Sequence, residues 1–280
     1  MTEIKEIGSL CTLDDHGYII NESDSGKINA RFQEAIQLLT DRCLAALPND
    51  IHSLYLRGSV PKGLDMEGVS DVDFIAVTYK DPEELDLDWV EETEQFIDQK
   101  FSFINGVDLG FSPISEVEET EHCSMIPFIL KTYGLCVYGE NLIPQLPDYK
   151  PDVSLANEHL IHFSSLMDYA KGEVTDNDDV EDIKDVCSWI MRIIVRAGGV
   201  LVIDQEKAYT RDLFPAYTLF AKHYPEKEQE MKTALWYSIN PLSDSGDILE
   251  FLNGFGQWME AETEKWLDVH NPKRAMHLPL

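Results

Sequence analysis

The 280-residue chain carries 52 acidic and 22 basic side chains, a formal net charge of −30. That balance argues strongly against a nucleic-acid partner, because displacing counterions from phosphates takes clustered lysine and arginine. It suits a cationic small molecule drawn to an acidic cleft, or plain solubility.

With 44% hydrophobic residues, the chain is long enough for one large or two medium domains with their own cores. The five cysteines, Cys11, Cys43, Cys123, Cys136 and Cys187, are odd in number and far apart, with no Cys-x-x-Cys. Neither a zinc site nor a disulfide framework is expected, and reduced thiols predict a cytoplasmic protein. The opening Met-Thr-Glu-Ile-Lys-Glu-Ile lacks the charged and apolar regions of a signal peptide. No apolar run is long enough to span a membrane.

Residues 1–26 read as an N-terminal extension with a hairpin signal at Asp14-Asp15-His16-Gly17. Gly26–Ala46 has the apolar spacing of a helix, with Pro48 closing it. Ser53–Arg57 is a short apolar strand that ends at Gly58-Ser59, and Phe74–Val77 is a second, buried strand. Gly58, Gly63, Gly68 and Pro61 make the connection a loop. Asp71 and Asp73 stand two apart where the second strand begins, so a strand would put both carboxylates on one face. Two such charges repel unless a cation sits between them, and Mg²⁺ with its oxygen ligands and substrate phosphates fits that role. Gly58 lets backbone approach a phosphate, and Ser59 offers it an N–H and a hydroxyl.

Glu83–Phe103 reads as an acidic helix. In Gly106–Phe111, Val107, Leu109 and Phe111 share one strand face and Asp108 takes the other. Glu116, Glu118 and Glu119 come next as secondary candidates. Pro144, Pro147 and Pro151 mark a domain boundary, giving domains 1–150 and 151–280. Beyond it the pattern is helical: Leu155–Lys171 ended by Gly172, Val180–Ala197 ended by Gly198-Gly199, Lys227–Tyr237 and Asp247–Asp268. Val200–Ile203 reads as a short strand. Arg192, Arg196, Lys207 and Arg211 are informative because cations are scarce. His159 and His162 read as packing residues.

Gly58-Ser59 followed by Ser70-Asp71-Val72-Asp73 between apolar strands resembles the signature of the nucleotidyltransferase (DNA polymerase β-like) superfamily, in particular its two-domain aminoglycoside adenylyltransferases. The resemblance implies an α/β (α+β) nucleotidyltransferase domain with a short mixed sheet, followed by an α-helical bundle domain. It implies transfer of AMP from ATP to a hydroxyl of a small molecule such as an aminoglycoside, with Mg²⁺ (two ions) and release of pyrophosphate, an activity of antibiotic resistance. Asp71 and Asp73 would hold metal. Asp108 would either complete the metal site or accept the attacking hydroxyl's proton. Gly58, Ser59, Arg192 and Lys207 would contact the nucleotide, with Arg211 able to replace Lys207. Asp182 and Asp185 would meet a cationic acceptor. Adenylylation of a partner protein and a nucleotide-binding regulator without turnover are the rival readings.

Overall fold

The structure, a computed structural model, describes residues 2–280. These divide into two units: Tyr18–Tyr149, and the residues up to Gly17 together with Lys150–Leu280. The sequence pattern assigns residues 1–26 to the first domain, but the segment before Tyr18 groups with the helices. Ser9 N–H donates to Asp212 Oδ2 (2.9 Å), Cys11 N–H to the Tyr209 carbonyl (2.8 Å) and Thr210 Oγ1 to the Ser9 carbonyl (2.8 Å). The expected turn forms, with Gly17 N–H on the Asp14 carbonyl, but no hairpin strands flank it among the described residues.

The Tyr18–Tyr149 unit is mixed α/β. Helix α1 (Ala30–Ala46) is capped by the Asn29 side chain on Arg31 N–H, which starts it four residues later than the sequence suggests. Strands β1 (Ile51–Arg57) and β2 (Val72–Thr78) pair antiparallel across the long loop. Helix α2 (Trp89–Lys100) is shorter than the predicted Glu83–Phe103, because a separate turn at Pro82–Glu84 and an extended step precede it. Next come β3 (Val107–Pro113), the single turn α3 (Ile114–Val117), α4 (Met125–Tyr133) and β4 (Leu135–Gly139). The sheet order is β3-β2-β1-β4, with β2 and β3 parallel and the other pairs antiparallel.

Alternation along the strands assigns the faces. Leu54 and Leu56 of β1, Phe74 and Ala76 of β2 and Leu109 of β3 share a buried cluster with Phe32, Ala35, Ile36 and Leu39 of α1 and Ile97 of α2. Arg57, Asp73 and Asp108 belong to the opposite face. No helix among the described residues is long and apolar enough to cross a membrane.

The second unit is helical: α5 (Val153–Leu160), α6 (Phe163–Asp176), α7 (Val180–Leu201), α8 (Ile203–Glu206), α9 (Leu213–His223), α10 (Glu228–Tyr237), α11 (Ser245–Phe251) and α12 (Gln257–His270). The predicted Leu155–Lys171 helix is two helices broken at Ile161-His162, and Gly172 lies inside α6 rather than ending it. The predicted Asp247–Asp268 helix is α11 and α12 joined by one π-helical turn, Leu252–Gly256.

Gly198 and Gly199 do not end α7, and Val200–Ile203 is no strand: Val200 and Leu201 close α7, Val202 is a turn and Ile203 opens α8. Both glycines are packing sites. A β-carbon on Gly198 would strike the Met231 methyl and meet the Phe220 ring at 3.0 Å. One on Gly199 would lie 3.0 Å from Ala216 Cβ and 3.1 Å from its Cα, on helix α9. The absent side chains let α7 and α9 approach closely, which outweighs the helix propensity lost. Replacing Gly199 by leucine therefore destabilises the protein by about 1–3 kcal/mol, the usual range for overpacking. Chemical unfolding followed by circular dichroism measures it, and unchanged or raised stability would show that the glycine is a mere helix break.

Candidate active site

Strand register builds the site. Arg57 of β1 stands opposite Asp73 of β2, and Asp73 stands beside Asp108 of β3. Directly paired residues point to the same sheet face, so one cation and two carboxylates form a row. Arg57 Nη2 donates to Asp108 Oδ2 at 2.6 Å and lies 3.3 Å from Asp73 Oδ1. Asp73 is buried, whereas the Asp108 side chain is 60% exposed. Asp108 thus offers an approachable oxygen beside a shielded one.

Gly58 follows Arg57 with φ +87°. A β-carbon there would collide with Asp73 Oδ2, so two constraints select glycine. Ser59 leads the short turn Val60–Lys62. Its hydroxyl donates to Ser70 Oγ (2.8 Å), and Ser70 Oγ accepts the Met66 N–H (2.9 Å), so the two ends of the loop are tied together. Arg31 of α1 holds the loop from below through Asp65 and Glu67, each at 3.0 Å. Asn105 N–H on the Ser70 carbonyl and Gly68 N–H on the Phe103 carbonyl fix it against the entry to β3.

Asp71 lies one residue before β2 and is exposed. No register partner on β1 or β3 fixes it, as pairing fixes Asp73. No group of three or more His, Cys, Asp or Glu able to hold a metal ion is found among the described residues. The Asp73–Asp108 pair fits a divalent cation by donor chemistry: two hard carboxylates stand side by side in register and share one cationic nitrogen. Mg²⁺ commonly takes one or two protein carboxylates and fills its shell with water and phosphate.

Two neighbours were not singled out from sequence. Arg57 is the only Lys or Arg between Arg42 and Lys62, and its place just before Gly58 was the available signal. Glu94 of α2 accepts the Leu109 N–H at 3.2 Å, occupying a donor on the edge strand β3. Burial raises the Glu94 carboxyl above its ordinary range, the Leu109 N–H lowers it, and Asp108 raises it again. Glu116 accepts the Ser112 hydroxyl at 2.7 Å, while Glu118 and Glu119 are exposed.

The remaining predicted residues belong to the helical unit. Arg192 is exposed on α7. Lys207, in a left-handed conformation (φ 47°), is exposed and pairs with Asp204 at 2.5 Å. Asp182 receives the Asn177 amide at 3.2 Å. Arg196 Nε donates to the Arg211 carbonyl at 3.1 Å. Both arginines lie near His159, whose Nε2 is 2.8 Å from the Tyr209 hydroxyl. Burial, reinforced by the charges of Arg211 and Arg196, pushes the imidazole from 6.5 down to about 3.

No protein-family description and no curated protein matches the chain. Among solved structures, a spectinomycin adenyltransferase from Enterococcus faecialis, with ATP and spectinomycin, is similar at 16% identity and a TM-score of 0.43. The match covers 82% of this chain and 98% of that one. At this level it marks a distant neighbour and carries neither fold nor activity across.

The half-buried His159 has a consequence for acid stability. The unfolded imidazole takes a proton as pH falls below 6.5, and the folded one does so only near 3. The unfolded state binds more protons across that window, so stability falls on acidification, by about 2 kcal/mol from this group between pH 7.5 and 5. His159→Gln, which keeps a partner for Tyr209, narrows that pH dependence by the same amount in chemical unfolding. An equal loss in variant and wild type would show that His159 does not contribute.

Proposed function

We propose that the protein is a Mg²⁺-dependent nucleotidyltransferase that moves AMP from ATP to a hydroxyl of a small, cationic acceptor of aminoglycoside type. The observation that carries the reading is the row formed by Asp73 and Asp108 on neighbouring parallel strands, with Gly58 set against Asp73. It stands within the Gly58-Ser59 and Asp71-Val72-Asp73 pattern whose chemistry is phosphate binding and cation holding.

In this reading the acceptor oxygen bonds to the α-phosphorus of ATP while the bond from that phosphorus to the bridging oxygen of the β-phosphate breaks, and pyrophosphate leaves. Asp73 and Asp108 would hold the divalent cation, with Asp71 at the strand mouth. Such a cation offsets charge building on the phosphoryl oxygens. Asp108, being exposed, would alternatively accept the acceptor hydroxyl's proton. The Gly58-Ser59 turn presents backbone to the triphosphate, and its ties to Ser70 and Arg31 keep it in place, so positioning is prepared before substrate arrives. Arg192 and Lys207, with Arg211 as substitute, are the proposed phosphate contacts of the helical unit. The acidic surface favours a cationic acceptor by attraction and disfavours nucleic acid.

The test is pyrophosphate release from ATP and Mg²⁺ with a panel of aminoglycosides. The wild type releases it above the acceptor-free background. Asp73→Asn lowers the rate at least about a hundredfold, since a cation's stabilisation is worth several kcal/mol, while circular dichroism shows the fold retained. Release by Asp73→Asn at the wild-type rate would contradict the assignment. Label from ATP appearing only on lysate proteins would replace the small-molecule acceptor with a protein.

A further inference from the structure

Arg57 has an unusual seat. Its Nη2 makes the shortest contact to both acids, at 2.6 Å to Asp108 and 3.3 Å to Asp73. Its Nε is buried with no hydrogen-bond partner among the described residues. A guanidinium bound for stability presents two N–H groups side by side to one carboxylate. Here one nitrogen is stretched across two acids, and a neighbouring donor is stranded at a desolvation cost. Yet the seat must be filled. Strands in register lie about 4.8 Å apart, so two ionised carboxylates in one row repel unless a positive charge stands between them.

We propose that Arg57 is the internal occupant of the divalent-cation seat: its guanidinium neutralises Asp73 and Asp108 in the metal-free protein and is displaced from them when the ion binds. This rests on the metal reading of the proposed function and adds a competitor to it. Arg57 is a positioning residue, acting through the two acids. The imperfect seat is what makes the exchange feasible, because a bidentate arginine would hold the acids too firmly to yield them, whereas this one gives up a single shared nitrogen and releases a stranded donor. The arrangement also keeps β2 and β3 paired before metal arrives.

The experiment is titration of Mn²⁺ into the full chain, monitored by the electron paramagnetic resonance signal of the free ion, alongside thermal unfolding in EDTA and in Mn²⁺. Arg57→Met binds Mn²⁺ about tenfold tighter than wild type, the size of one charge-assisted hydrogen bond no longer to be broken. It also unfolds at a lower temperature in EDTA and gains more from Mn²⁺ than wild type does. Lys62→Met separates displacement from the general field: Lys62 lies over the Tyr133 ring, 4.4 Å from its centroid, in the same loop. Its loss leaves Mn²⁺ affinity within about twofold of wild type.

Saturable Mn²⁺ binding that is equal in wild type and Arg57→Met overturns the displacement alone. So does tightening by Lys62→Met that matches Arg57→Met. No saturable binding by any of the proteins overturns the metal reading and the displacement with it. If Arg57→Met does not fold, Arg57→Lys takes its place. A single ammonium on a shorter stem spans the two acids less well, so Mn²⁺ binds about threefold tighter than in wild type. Affinity equal to wild type in that variant overturns the proposal.

Discussion

The charge row across the sheet is the constraint on which the rest of the Tyr18–Tyr149 unit depends. Two carboxylates in register on neighbouring strands repel, and Arg57 of β1 sets a positive charge between them. That need constrains the neighbouring residues. The residue after Arg57 must turn sharply and leave room for Asp73, which only Gly58 does. The loop from Ser59 to Asp71 must return to the same end of the sheet, and the Ser59–Ser70 hydrogen bond closes it there. Arg31 then fastens the loop to α1, a helix already committed to the opposite sheet face by Phe32 and Leu39.

Burial explains why a polar row is tolerated. Leu54, Leu56, Phe74 and Ala76 supply the core on the α1 and α2 side, so the other face is released for polar work at its strand ends. Asp73 lies inward and Asp108 outward in the same row. That graded exposure leaves one carboxylate shielded and the other open to solvent.

Much of this was legible in the sequence, and the failures share a cause. Period-two alternation is local, so the strands around Leu54, Phe74 and Leu109 and the opposed orientation of Asp108 could be read directly. Arg57 could not, because its importance lies in register across a long loop, and register is set by tertiary packing. Asp71 stands one residue outside β2, so no register partner fixes it as pairing fixes Asp73 beside Asp108. The same limit explains Gly198-Gly199. A glycine pair weakens a helix by itself, but α9 seats against α7 at that point and keeps it continuous. At Ile161-His162 neither glycine nor proline marks the break, so apolar spacing ran straight through two helices. Glu94 was hidden in a run of acids whose ordinary meaning is a solvated face.

Asp73 and Asp108 are proposed to form one cation seat. The most direct measurement is anomalous diffraction from crystals grown with Mn²⁺ and an ATP analogue that cannot be cleaved at the α-phosphate. The account predicts a manganese peak about 2.1 Å from an oxygen of each carboxylate, with the analogue's phosphates beside it and Gly58 at the mouth. A peak bound away from both acids, with nucleotide present, would contradict it.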